Sequence, residues 1–191
     1  MVSEFSDFAR MPAPKFEPHD ATELLRQAVF AQRVADPETQ IELVDPGEPV
    51  AISCDDRMIG QALTNILKNA GEAVAARRAS HEPMQGRITA RLLVDGGTAA
   101  FEIEDNGVGL PAKGRDRLTE PYVTTREKGT GLGLAIVERI MEEHGGGLTL
   151  TDARQKPGAR VTLRLPLIPH PETAAPNAAT SPAATPALKD A

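Results

Sequence analysis

Tryptophan is missing from this chain of 191 residues, and its other aromatics are five phenylalanines and one tyrosine. Platforms that stack single-stranded nucleic acid are built from such rings, so that class of ligand is set aside. A net charge of −6 points the same way, because nucleic-acid binders present a basic face. Cysteine is nearly absent. Cys54 alone excludes an internal disulfide and a multi-cysteine zinc site, and makes a reduced, cytoplasmic setting the expectation. No apolar run approaches the ~20 residues that span a bilayer, and the N-terminus carries no signal-peptide pattern. Direct membrane insertion by this chain is therefore not expected.

Hydrophobic periodicity divides what is present into three parts. The opening, MVSEFSDFARMPAPKFEP, reads over 1–18 as the end of a helix running into a linker, because Pro12, Pro14 and Pro18 impose an extended path. From 169 onward an Ala/Pro/Thr mixture has no apolar periodicity and is expected to be a disordered tail. Between them, 19–168 reads as one folded unit. Helical spacing predicts helices over 21–34, from a cap at Asp55 to Ala79, and over 132–144. Alternating runs predict strands QIELV and PVAIS around a turn at DPGE, RITARLLV and TAAFEIE around DGG, then GLTLT and ARVTLRL. That order implies a two-layer α/β sandwich, with three helices on one face of a mixed, mainly antiparallel sheet.

Three stretches do not fit a purely structural reading. In TNILKNAGEAV, Asn65 and Asn69 stand four apart on a helix whose remaining spacing is apolar. Asparagine competes with the helix backbone for hydrogen bonds, and a pair on one side points at something outside the helix. DNGVGL follows a strand; Gly107 and Gly109 allow a tight turn and a close approach of backbone to ligand, and Asp105 can accept from an exocyclic amine. KGTGLGL opens a helix, where glycine-freed N–H groups and the helix terminus suit a phosphate. It is neither a P-loop nor a dinucleotide fingerprint, since the G-K-[ST] ending and the G-x-G-x-x-G spacing are both missing. The 25 residues from 105 to 129 hold no predicted regular element, which within a compact domain suggests a functional loop.

Taken together, LTNILKNA, DNGVGL, TEPYVTTR and GTGLGLAIV resemble, in order and spacing, the catalytic ATP-binding domain of sensor histidine kinases. That domain has the Bergerat-type ATP-binding fold shared by gyrase, chaperone, histidine kinase and mismatch-repair ATPases. The opening EFSDFARMP is similar to the linker of nitrogen-regulation-type members. The resemblance implies ATP and Mg²⁺ as ligands, with Asn69 holding the metal and Asn65 bordering the same phosphates. It implies Asp105 on the adenine amine, with Gly107 and Gly109 shaping that pocket. Gly129, Thr130, Gly131, Leu132, Gly133 and Leu134 become the phosphate cradle. Tyr122, Thr124, Thr125, Arg126 and Lys128 then border a lid over 111–128. Two positions depart from the family pattern. Glu72 stands where many members have a lysine, so Arg126 and Lys128 are expected to neutralise phosphate. Thr119 and Tyr122 replace phenylalanines.

The implied function is phosphoryl transfer from Mg-ATP to a histidine on a separate dimerisation domain, and onward to a response regulator. Gyrase-like hydrolysis is the competing enzyme reading; it needs a general-base glutamate four residues before Asn69, where Asn65 stands. The non-enzymatic alternative is a nucleotide-binding or partner-docking module left by truncation. None of the four histidines is expected to accept phosphate. His144 is read as a helix-end residue favoured by the dipole in partly charged form, Cys54 as a small buried hydrophobe, and Arg77 and Arg78 as a solvated helix end.

Overall fold

A computed structural model of the chain describes residues 11–80, 84–123 and 130–167. Strand β1 (Glu17–Asp20) leads into helix α1 (Ala21–Ala35), followed by β2 (Gln40–Val44), β3 (Ala51–Cys54) and α2 (Asp56–Ser80). The hairpin β4 (Arg87–Asp95) and β5 (Thr98–Asp105) comes next, then α3 (Gly133–Glu143), β6 (Gly147–Asp152) and β7 (Ala159–Pro166). Five strands form one sheet in the order β2-β4-β5-β7-β6, with β2 parallel to β4 and the other pairs antiparallel. The expected architecture holds: among the described residues three helices lie on one face of this mixed sheet. No helix among them is long and apolar enough to cross a membrane.

The core follows from period. On β4, β5 and β7 the residues Ile88, Ala90, Leu92, Ala99, Phe101, Ile103, Leu163 and Leu165 alternate inward and are buried. They meet Leu25 and Val29 of α1, Ile59, Leu63, Ile66 and Val74 of α2, and Ile136, Val137 and Ile140 of α3. The opposite sheet face is polar. Glu102 is buried there among arginines, with Arg154 donating to both of its oxygens at 2.7 and 3.0 Å and Arg91 at 3.1 Å.

Two strand expectations need correcting. The strands on either side of DPGE do not pair with each other. The segment between them crosses the start of α1, where Asp20 Oδ1 accepts from Val50 N–H at 2.9 Å and the Thr22 hydroxyl donates to the Glu48 carbonyl at 2.9 Å. β2 is left in the main sheet, and β3 instead pairs with β1. Strand β1 itself falls where the prolines suggested only an extended connector: Glu17 pairs with Cys54 and Asp20 with Ala51. An extended chain needs only a free neighbouring edge to become a strand, and β3 supplies it. Among the described residues of the loop read as irregular there is one short 3-10 turn, Arg115–Arg117.

Candidate nucleotide site on one stripe of helix α2

Asn65, Asn69, Ala73 and Arg77 follow one another at steps of four along α2, so they form one stripe of that helix. The start of α3 and the DNG turn both lie against this stripe. Asn69 is half-buried, and its amide Nδ2 lies 3.9 Å from where a Cβ would stand on Gly133, the first residue of α3. Asn65 is half-buried one turn earlier. The start of α3 is formed by Thr130–Leu132. Leu132 is 3% exposed and anchors the turn in the core, and the Thr130 hydroxyl accepts from Leu132 N–H at a long 3.4 Å. Leu132, at the N-cap position of α3, makes no side-chain cap, and the first-turn N–H groups of a helix have no partner within it. Leu134 packs against the core, so what Leu132 and Leu134 offer a ligand is backbone.

Gly131 has φ of +69°, and a Cβ there would stand 2.7 Å from the Tyr122 carbonyl carbon. Tyr122 N–H donates to the Gly131 carbonyl at 3.0 Å, joining the two sides of the intervening loop. Tyr122 itself has φ of +66° and an exposed ring. Thr124, Thr125, Arg126, Lys128 and Gly129 lie outside the described residues.

Further along the stripe the DNG turn is pressed onto α2. A Cβ on Gly107 would overlap the backbone of Ala73, and Val108 N–H donates to the Ala73 carbonyl at 3.2 Å. Asp105 is 6% exposed, and its Oδ1 accepts from Gly107 N–H at 2.8 Å and Ala159 N–H at 3.4 Å. Gly109, at φ +80°, lies against Gly158, whose own missing Cβ would overlap the Asp105 carbonyl. Glycine thus stands on both sides of the Asp105 carboxylate.

Sequence reasoning did not find Arg77, Asn106 or Gly158. Arg77 Nη1 donates to the Asn106 carbonyl at 2.6 Å, and the Asn106 side chain holds Arg87 N–H at 2.8 Å and the Gln85 carbonyl at 2.9 Å. Arg78 pairs with Glu38 at 2.7 Å. The expected solvated helix end is therefore a pair of ties, one of them to the candidate site. The four-residue step from Asn69 to Arg77 was the available signal.

His144 also departs from expectation. It is 5% exposed, its Nε2 accepts from Asp55 N–H at 3.0 Å, and its Nδ1 lies 2.7 Å from the Ile140 carbonyl. A backbone N–H can only donate, so Nε2 is the accepting nitrogen and Nδ1 the one that faces the Ile140 carbonyl as donor. Cys54 is fully buried as expected. Burial, then the Asp56 and Asp55 charges, push its thiol up to about 11, which removes it as a nucleophile.

Residues 54–169 match the family model described as histidine kinase-, DNA gyrase B-, and HSP90-like ATPase. The nitrogen regulation protein NtrY of Azorhizobium caulinodans is 52% identical over 166 residues, covering 86% of this chain and 21% of that protein. A putative sensor histidine kinase NtrY-like protein of Rickettsia conorii is 36% identical over 167 residues, 87% of this chain and 27% of that one. The chain therefore spans only a fifth to a quarter of these relatives. Among solved structures, the mycobacterial sensor histidine kinase MprB superposes with a TM-score of 0.69 at 30% identity, covering 82% of this chain and all of that one. Full-length ShkA in complex with AMPPNP gives 0.69 at 28% identity, covering 87% of this chain and 35% of that one.

Proposed function

The chain belongs to the histidine kinase-, DNA gyrase B-, and HSP90-like ATPase family, and on that premise we propose that it is the ATP-binding catalytic part of a sensor histidine kinase. ATP binding follows from the family. The observation that carries the finer reading is the α2 stripe, which sets Asn69 beside the uncapped start of α3 and Ala73 beside the Asp105 turn.

In this reading the Asp105 turn takes adenine, the Thr130–Gly133 turn takes the phosphates, and Asn69 carries the metal through its amide oxygen. A neutral amide suits that place because it ligates Mg²⁺ without repelling phosphate. Mg²⁺, when bound, would neutralise charge developing on the phosphoryl oxygens. The chain's own residues orient the nucleotide. Asn65 flanks the phosphates, and Tyr122, Thr124, Thr125, Arg126 and Lys128 border them from the loop. Asn65 has no basic group with which to activate water, which favours transfer to a protein histidine over hydrolysis.

The acceptor histidine would belong to a separate dimerisation domain, and a response regulator would receive the phosphate next. Within this chain His144 is buried with both ring nitrogens engaged, and His19 lies in β1. Neither is placed to accept, and His81 and His170 lie outside the described residues. The folded unit of 19–168 would work in the cytoplasm, where ATP is available. Titration calorimetry of the chain with Mg-ATP, ADP and GTP tests the reading. Asn69→Ala should weaken Mg-ATP binding at least ~30-fold with an unchanged melting temperature, roughly the loss of a charge-assisted contact plus the metal. Parent-like affinity in that variant overturns it.

A further inference from the structure

At the end of the helix pair remote from the glycine segments, three parts of the chain meet around the buried Asp55 and His144. His144, just after α3, joins Asp55 N–H to the Ile140 carbonyl through its two ring nitrogens. Asp55 caps α2, its Oδ1 accepting from Met58 N–H at 3.2 Å. The other carboxylate oxygen accepts from Lys15 N–H at 3.0 Å, and the Phe16 ring lies 5.1 Å, centroid to centroid, from the imidazole. Residues 15 and 16 belong to the segment that enters the domain just before β1.

We propose that His144 is a positioning residue for the nucleotide site, and that docking of Lys15 and Phe16 onto it sets the geometry of that site. The inference rests on the nucleotide reading given above. α2 and α3 run antiparallel: Asp55 meets His144 at one end, and Asn69 meets Gly133 at the other. The fourteen residues from Asp55 to Asn69 make a rigid lever of about 21 Å. A change of tilt at the His144 end therefore alters the spacing between the Asn69 amide and the start of α3. The imidazole joins the α2 cap to the last turn of α3, and the entering segment fastens that joint through one N–H and one ring. Undocking of residues 15–16 loosens the joint and lowers nucleotide affinity. Bound nucleotide must, by reciprocity, tighten the entering segment.

The test uses the whole chain, with Mg-ATP titration calorimetry and amide hydrogen exchange read by mass spectrometry. Phe16 is half exposed, so Phe16→Ala leaves folding intact, and Lys15→Pro removes the donated N–H and an exposed side chain in a segment that Pro14 already holds extended. Each should weaken Mg-ATP binding about 5-fold, and saturating Mg-ATP should slow exchange at 15–20 and at Asp55 by a similar factor. His144→Gln, whose amide can both accept from Asp55 and donate to Ile140, should keep most of the affinity that His144→Leu loses. Parent-like affinity in both linker variants, with exchange at 15–20 indifferent to nucleotide, overturns the clamp while leaving the site intact. A parent chain that binds no Mg-ATP overturns the nucleotide reading and the clamp with it.

Discussion

The start of helix α2 and its stretch from Asn69 to Ala73 are built on opposite principles. At its start the Asp55 and His144 side chains close the structure with hydrogen bonds to backbone groups, the Lys15 N–H among them. Further along, at Asn69 and Ala73, side chains are withdrawn: Gly107, Gly109 and Gly158 let backbone lie on backbone, and Gly133 leaves room beside the asparagine amide. Buried side-chain ties make one end rigid without needing a ligand. Missing side chains along the stretch from Asn69 to Ala73 make a surface that, in the proposed reading, a flat base and a chain of phosphates approach. The helix thus divides support from recognition along its length.

Substitutions that exchange the two principles test this contrast. The largest effect is expected from Gly107→Ala, because the added Cβ would sit in the Ala73 backbone. Stability should fall by about 3 kcal/mol and Mg-ATP binding should become undetectable, read by thermal melting and calorimetry. A variant that melts like the parent would show that the turn is not pressed onto α2.

Asp105→Asn is gentler, since an amide oxygen can still accept from Gly107 N–H while the second carboxylate oxygen is replaced by a donor. Mg-ATP affinity should drop roughly 10- to 100-fold with blunted preference over GTP, the scale of one charged hydrogen bond. Unchanged selectivity would remove Asp105 from the adenine site.

The closed end is probed by acid. Burial alone would raise the Asp55 carboxyl, but the donors from Lys15 N–H, Arg57 and Met58 N–H outweigh it and hold it at about 2. A folded-state value below the unfolded one near 3.9 means the stabilisation is full above about pH 4 and is lost as pH falls from there toward 2. That contribution is roughly 2 kcal/mol, and the melting temperature of Asp55→Asn should fall less steeply over that window than the parent's. Identical pH slopes would contradict the cap.

The smallest effect is expected from Arg77→Ala, which removes one donor from the Asn106 carbonyl. A loss of about 1 kcal/mol, read as roughly 5-fold weaker Mg-ATP binding, would mark Arg77 as a support of the turn. Full parent affinity would return it to the status of a surface residue.

Much of this could be read before folding, and the failures share a cause. The α2 helix, its Asp55 cap and its asparagine pair are local matters of spacing within one turn or two. The β4–β5 hairpin is equally local, because Gly96 and Gly97 take the positive φ that its two-residue turn requires. Arg77 and His144 were misjudged because charge and helix position are poor guides to which backbone group a long or planar side chain finally meets. Gly158 carries no signal of its own, since its need arises only where the Asp105 carbonyl crosses it.

By itself the sequence determined the helices, the strands other than β1 and the family, because periodicity and motif spacing are properties of neighbours along the chain. Which strands share a sheet, the pairing of the proline-rich entry with β3, the tautomer of His144 and the alignment of two glycine segments on one stripe of α2 were decided only in three dimensions. Each depends on a partner dozens of residues away, and a hydrogen bond or a steric limit exists only once that partner has been brought alongside.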